Sequence, residues 1–303
     1  MSESRHPDFI IPVAGTVILF YPEEGVFDNI RCCVERLDKI YLLDNSSRPA
    51  VIPLDLKKDP RVVYLPQMKN LGQAAALNAA AARARQDGYS WLLTLDQDSA
   101  FKPGVLEMYL RAFRAYEPKR NCALFSPAHQ PVSLPPVPHE GIISEPETLM
   151  TSGNLLNLQI HASLGGFHEP LFIDTVDHDY CLRARLEGFR LVCFDSVVMD
   201  HEVGEALWVE ERGRKVRITT HPPERMYTIT RNNLRLWWKF YRVFPQYIKH
   251  RIHFYFFRTL RHIFLYEDRK LAKLGFSLRG AFDFLRGRYG PAPASQRESH
   301  DQR

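Results

Sequence analysis

The segment Gly72–Gln86, GQAAALNAAAARARQ, lies between two short apolar runs, Val62–Tyr64 and Trp91–Leu95. Alanine at that density leaves few alternatives to an α-helix. The same alternation continues along the chain. Val13–Phe20, Ile40–Leu43 and Ala123–Phe125 read as further strands, and Val26–Leu37 and Pro103–Tyr116 as further helices, the second with proline at its start. Strand–helix alternation predicts an α/β fold in which a mostly parallel sheet is covered on both faces. Ligands on such sheets gather at the carboxyl ends of the strands.

The pattern loosens after residue 126. Residues 127–147 carry six prolines and read as a long loop. A strand at Leu149–Ser152, a helix at Val176–Glu187 and a strand at Arg190–Phe194 follow, and from about Pro223 the chain is predominantly helical. The last dozen residues have a disordered composition. Three regions result: 9–222 as the α/β domain, 223–290 as a helical extension and 291–303 as a tail.

Charge separates the first two regions. Residues 225–290 hold 15 Lys/Arg against 3 Asp/Glu and 17 of the 36 aromatic residues, whereas the rest of the chain is net −7. Within that segment, Tyr247–Tyr266 places Arg251, Arg258, Arg261 and His262 on one helical arc of roughly 100° and Ile252, Phe256, Leu260 and Ile263 on the other side. Two readings fit: a basic amphipathic helix at an anionic membrane surface, or a helix packed on the body with its basic face in water. Nucleic-acid binding is disfavoured, since no nucleic-acid fold motif accompanies the basic residues. The five cysteines are odd in number and lack C-x-x-C spacing, so neither a disulfide framework nor a zinc knuckle is indicated. No leader pattern opens the chain, and its longest early apolar run, Phe9–Tyr21, is too short to span a bilayer. The expected setting is cytoplasmic.

Five groups of residues could carry chemistry. Asp96 and Asp98 close the run WLLTLDQD and offer two hard oxygen ligands suited to Mg²⁺ or Mn²⁺, though Asp and Ser here also suit a plain turn or helix cap. Asp44 and Asn45 follow KIYLL, where they could bond a nucleobase or ribose or form an Asx-turn. Asn70 and Gly72 open the alanine-rich helix, whose free amides could face a diphosphate while Asn70 caps it. Asp174, Asp177 and Asp179 stand at the start of a helix, where the dipole favours acids and where one could act as a general base; Arg183 could pair with one of them. His201, in VVMDHEVGE, gains interest only as a further ligand to a metal at Asp96 and Asp98.

In order along the chain stand D-N-S-S, N-L-G, T-L-D-Q-D-S, T-S-G-N-L, G-G-F-H-E-P-L-F-I-D-T-V-D-H-D-Y-C-L-R, M-D-H-E-V-G and R-M-Y-T-I-T-R-N-N. This order resembles the family 2 glycosyltransferases of GT-A fold, and among them bacterial rhamnosyltransferases, from about Val13 to Arg288. The resemblance implies a Rossmann-like sheet with a C-terminal helical extension. It implies inverting, metal-dependent transfer of a sugar, L-rhamnose from dTDP-L-rhamnose, to a saccharide acceptor in cell-surface polysaccharide synthesis. In relatives that acceptor is often carried on a polyprenyl diphosphate, and the enzyme would work at the inner face of the cytoplasmic membrane.

By position, the resemblance makes Asp44, Asn45, Asn70, Gly72, Asp96, Gln97, Arg231 and Asn232 donor-binding. Asp96, Asp98 and His201 become the metal set, and Ser152, Gly153, Asn154 and Asp174 the acceptor side. Asp177 becomes the catalytic base, with Asp174 as the alternative, because Val176 stands where many relatives have Glu. Rival readings are a UDP-hexose donor and a non-catalytic sugar-nucleotide or membrane-docking protein on the same fold. A glycosidase is disfavoured, since acids two residues apart cannot flank a sugar at the needed separation. A sugar nucleotidyltransferase is disfavoured by LFYPEEGVFDN, which lacks a basic glycine-rich loop after the first strand.

Overall fold

A computed structural model of the chain describes residues 11–130, 143–201, 205–211 and 213–293. The first half alternates as its sequence predicts: β1 (Val13–Leu19), α1 (Gly25–Val34), β2 (Lys39–Asp44), α2 (Leu54–Lys58), β3 (Val62–Pro66), α3 (Gln73–Gln86) and β4 (Trp91–Asp96). These four strands are parallel, in the order β3-β2-β1-β4. The sheet continues through β8 (Asn154–Asn157), β6 (Cys122–Gln130) and β9 (Arg190–His201). β8 runs antiparallel to both neighbours, so β6 and β9 regain the direction of β1. Two short strands, β5 (Ser99–Ala100) and β7 (Ile143–Ser144), pair antiparallel with β9. Most of the sheet is therefore parallel, as expected of an α/β fold.

Side-chain alternation splits the core into two layers. From β1, Val13, Val17 and Leu19 join α1 and α4 (Val105–Ala115) on one face, with Phe113 and Phe125. Ala14 and Ile18 join α3 and α6 (Val176–Leu186) on the other, with Tyr180. On α3, Ala74, Ala76, Ala80, Ala81 and Ala84 are all fully buried. Their small side chains let the helix lie close on the sheet, the physical use of the alanine-rich run.

Three regions depart from expectation. Leu149–Ser152 is not a strand. Thr94 Oγ1 donates to Thr151 O at 2.6 Å and Gly153 N to Thr94 O at 2.6 Å, so this segment is tied to the end of β4 and reaches the ladder only at Asn154. Residues 205–220 form an unexpected hairpin, β10 (Glu205–Glu211) and β11 (Arg214–Thr220), whose turn includes Gly213 at φ 73°. The helix expected over Tyr247–Tyr266 is three pieces: α8 (Pro245–His253), a π-helical stretch Phe254–Leu260 and α9 (Arg261–Leu265). Between β8 and α6 lie α5 (Leu158–Ser163) and a single 3₁₀ turn, Glu169–Leu171.

The helical extension builds its own core. Met226, Leu236, Trp237 and Phe240 of α7 (Pro223–Phe240) pack with Tyr247, Ile248, Tyr255 and Ile263, and with Leu182 of α6. α10 (Lys270–Leu285) lies along α7, and Gly280 marks their close approach. A Cβ at Gly280 would overlap the carbonyl oxygen of Tyr227 well inside van der Waals contact. That obstacle is backbone and cannot swing aside. Gly280→Ala is therefore expected to destabilise the protein by about 1–3 kcal/mol through helix separation. A lowered thermal midpoint in calorimetry checks this, and an unchanged or higher midpoint would show that the two helices can part freely.

Candidate active site

The carboxyl ends of β1, β2 and β4 and the start of α3 share one edge of the sheet. β4 delivers Asp96 there. Its backbone N–H donates to Ser152 Oγ at 3.0 Å, and its Oδ1 accepts from Gln73 Nε2 at 3.0 Å. Ser152 Oγ in turn donates to Ser99 Oγ at 2.7 Å. A serine bridge thus fixes the strand end, and a glutamine at the start of α3 orients the carboxylate. Asp98 follows on exposed chain. The β5–β9 ladder sets the backbone of His201 opposite Ser99, one residue beyond Asp98; the side chain of His201 lies outside the described residues.

Asp96 opens onto a cleft of about 570 Å³ between the sheet edge and the C-terminal helices. Opposite it stands the start of α6, which contributes Asp177 and His178. The segment leading into α6 is unusual: Phe172, Asp174 and Thr175 all take positive φ, at 67°, 64° and 58°. Such strain persists only where surrounding structure enforces it. Here Asn232 Nδ2 of α7 lies within 2.9, 2.6 and 3.1 Å of the carbonyl oxygens of Leu171, Ile173 and Asp174. Gly72 closes the other side, since a Cβ there would collide with the ring and carbonyl oxygen of Phe172.

The three aspartates at this turn divide their roles by partner. Asp174 accepts from Arg225 Nε at 2.9 and 3.0 Å and from Thr228 Oγ1 at 2.6 Å. Asp179 is buried between Arg183 at 2.8 Å and Lys239 at 2.6 Å. Asp177 makes no ion pair among the described residues; its Oδ1 accepts the His178 N–H at 2.8 Å. Burial pushes His178 down to about 4, with Asp177 opposing the fall, and its Nδ1 meets Tyr247 Oη at 2.7 Å. A neutral imidazole beneath Asp177 leaves that carboxylate without a counter-ion at its own helix turn.

The cleft is otherwise basic. Arg217, Arg225, Arg251 and Arg258 line it with His221 and His262. Burial, reinforced by neighbouring arginines, holds both histidines below their ordinary range. The sequence pattern does not place these cations at the site, although it groups Arg251, Arg258 and His262 on one arc. Arg217 rides on the unexpected hairpin, for which the apolar run Ala206–Val209 and the alternation of Val216 and Ile218 on either side of Gly213 are the available signal. Of the expected basic arc, Arg251, Arg258 and His262 line the cleft, whereas Arg261 is exposed outside it and pairs with Glu211. The π-helical stretch supplies Phe254, Tyr255, Arg258 and Thr259 to this wall. Such stretches occur frequently at functional sites.

Other expected residues take different places. Arg231 is wholly buried and does not line the cleft: it donates to Leu171 O at 3.4 Å and Asn232 Oδ1 at 3.0 Å, and burial lowers its pKa. Arg231 and Asn232 therefore brace the segment before α6 instead of facing a diphosphate. Gln97 spends its side-chain amide on the backbone of Phe20, accepting at 2.8 Å and donating at 3.2 Å. Asp44 is fully buried. Burial opposes its ionisation, but hydrogen bonds from Ser46, Tyr64 and Ala50 outweigh it and hold the carboxyl below its ordinary value. The Asx-turn reading of that segment is thus realised. Asn45 donates to Gly72 O at 3.3 Å, and its buried Oδ1 has no hydrogen-bond partner among the described residues. Asn70 Oδ1 accepts from Gly72 N at 2.9 Å, which ties down the turn before α3. Ser152 sits on the cleft wall; Gly153, at φ 81°, and buried Asn154 lie behind it.

Among the described residues no group of three or more His, Cys, Asp or Glu forms a ready metal cage. Asp96 and Asp98 are nonetheless hard oxygen donors at one strand end, beside a cleft rich in anion-binding side chains. That donor chemistry fits a divalent cation that takes its remaining ligands from a bound diphosphate and water.

The family described as "Glycosyl transferase family 2" matches residues 17–149. No curated protein sequence matches the chain. Among solved structures, Staphylococcus aureus TarS residues 1–349 superposes with a TM-score of 0.56 at 14% identity, over 89% of this chain and 80% of that one. The same TarS fragment with UDP-GlcNAc gives 0.59 at 13% identity, over 91% and 81%. GalNAc-T7 with UDP, GalNAc and Mn²⁺ gives 0.59 at 11% identity, over 91% of this chain but 55% of that one. At these identities the likeness is one of fold.

Proposed function

From a chain that carries a family 2 glycosyltransferase segment on a GT-A fold, we infer an inverting transferase whose donor is a nucleotide-diphospho-sugar. One observation carries this reading: Asp96, from the end of β4, and Asp177, from the first turn of α6, border a single arginine-lined cleft. Relatives of the same fold support the donor class, TarS with UDP-GlcNAc and GalNAc-T7 with UDP and Mn²⁺.

In this reading the acceptor hydroxyl attacks the anomeric carbon as the bond from that carbon to the diphosphate oxygen breaks. Asp177 takes the hydroxyl proton, and the nucleoside diphosphate leaves on the opposite face. One displacement with one base inverts the anomeric centre. Arginines of the cleft neutralise charge growing on the leaving diphosphate. Asp96 and Asp98, with His201, would hold Mg²⁺ or Mn²⁺; when bound, the cation supplies further charge stabilisation to the diphosphate. Asp44, Asn45, Asn70 and Gly72 shape the nucleotide end of the site, and Ser152 and Asp174 the acceptor end. Asn232 and Arg231 act through the strained segment that presents Asp177.

The resemblance to rhamnosyltransferases makes dTDP-L-rhamnose the proposed donor. A saccharide carried on polyprenyl diphosphate is the proposed acceptor, met at the inner face of the cytoplasmic membrane during cell-surface polysaccharide synthesis. A donor panel tests this. Purified protein with Mg²⁺ or Mn²⁺ is given dTDP-rhamnose, UDP-glucose, UDP-galactose and GDP-mannose, and nucleoside diphosphate release is followed. The fastest release is expected from dTDP-rhamnose. Preference for a UDP-hexose would remove rhamnose and leave the transfer mechanism standing. Tight donor binding with no release from any donor would favour the non-catalytic alternative.

A further inference from the structure

α10 carries a polar stripe on its inward side and an apolar stripe on its outward side. Its inward face carries Lys273, Ser277, Gly280 and Asp283, all buried. Lys273 pairs with Glu267 and donates to Thr220 Oγ1 at 2.8 Å, and Asp283 accepts from Tyr227 Oη at 2.9 Å. Its outward face carries Leu271, Leu278, Phe282 and Leu285, which are 87, 72, 50 and 79% exposed. At 100° per residue these four fall within an arc of roughly 60°. A helix on a water-facing surface has the opposite polarity. Beside it, across a groove lined by Leu234, Trp237, Tyr241 and Phe284, Trp238 of α7 is 83% exposed. An apolar surface this continuous marks a place where something else sits.

The charges around it specify the occupant. Of the three acids in residues 225–290, Glu267 and Asp283 are buried and only Asp268 is exposed. Exposed cations in the same segment include Arg242, Arg269, Lys270, Arg279 and Arg286. Arg279 and Arg286 border the apolar arc, placed so that their stems can lie along it and their heads reach outward. A second copy of this chain would bring two such segments, each net +12, face to face and repel. An anionic bilayer offers both partners at once, acyl chains for the leucines and phosphates for the arginines. No helix among the described residues is long and apolar enough to cross a membrane, so contact would be at the interface.

We propose that the outward face of α10, with Trp238 of α7 beside it, docks the protein on an anionic lipid surface. This deepens the membrane element of the proposed function by assigning it a face, and that face is not the basic arc of residues 247–266. Flotation of the full chain with vesicles tests it. Wild type is expected to float with phosphatidylcholine vesicles containing one quarter phosphatidylglycerol and to stay behind with phosphatidylcholine alone. Leu278→Asp with Leu285→Asp is expected to cut partitioning at least about tenfold, the thermal midpoint being unchanged because both positions are exposed. Arg279→Glu with Arg286→Glu is expected to remove the preference for the anionic vesicle. Wild type that ignores both vesicles, or a leucine variant that floats as well as wild type, overturns the proposal. So does light scattering that shows a dimer split by the leucine variant without vesicle binding. Nucleoside diphosphate release is measured separately on the same samples; its failure would count against the transferase reading and leave the docking result to stand alone.

Discussion

Asp177→Asn lowers kcat by about 10²–10⁴-fold and leaves donor affinity within about twofold of wild type. The side chain keeps its volume and can still accept the His178 N–H through its amide oxygen, so the first turn of α6 survives the change. What is lost is the basic oxygen. The neighbouring acids are poor substitutes for physical reasons. Asp174 is committed to Arg225 and Thr228, and Asp179 is buried between Arg183 and Lys239. A carboxylate whose oxygens are already held by such donors is not free to meet an acceptor hydroxyl as well. Steady-state rates with a soluble acceptor analogue, beside calorimetric titration of donor, separate the two effects. Normal turnover in Asp177→Asn would remove it as the base, and a large kcat loss in Asp174→Asn alone would transfer the role there.

That division among three acids marks the boundary of what the sequence could show. Periodicity and composition were sufficient for β1 to β4 and α3, because each buries a face whose period is local. The position of Asp96 at a strand end followed directly from WLLTLD. Pairing choices were not local. Arg183 has acids at several nearby positions, and only the folded helix joins it to Asp179 while Lys239 arrives from α7. Arg231 and Asn232 lie in a polar stretch, RNN, and polar residues invite a ligand-binding reading. In the fold they are among the most buried residues of α7, turned onto the backbone of 171–174. The basic face of 247–266 was legible as a face, but periodicity cannot say which way a face points. The outward leucines of α10 show the same limit from the other side: a 3.6-residue stripe is assigned to the interior by default, and here the polar stripe took that place.

The other carboxylate of the cleft should fail in a different way. Asp96→Asn is expected to cost about 10²–10³-fold in kcat/KM, the range for loss of one aimed electrostatic contact to a developing anion. Unlike Asp177→Asn, it should also weaken donor binding, and its residual activity should respond little to added Mg²⁺ or Mn²⁺. The reason lies in what Asp96 touches. Its backbone is pinned through Ser152, and its Oδ1 accepts from Gln73 at the start of α3. An asparagine there can offer its oxygen to Gln73 and keep the strand end in place, while the negative charge available to a cation and its diphosphate is gone. Chelation by EDTA should reproduce the defect in wild type and add little in the variant. The contrast is the test, because a general loss of structure would depress both variants alike. If Asp96→Asn bound donor normally and lost only kcat, or if EDTA left wild type unaffected, the pair Asp96 and Asp98 would have no metal role. The cleft would then rely on Arg217, Arg225, Arg251 and Arg258 alone to neutralise the departing diphosphate.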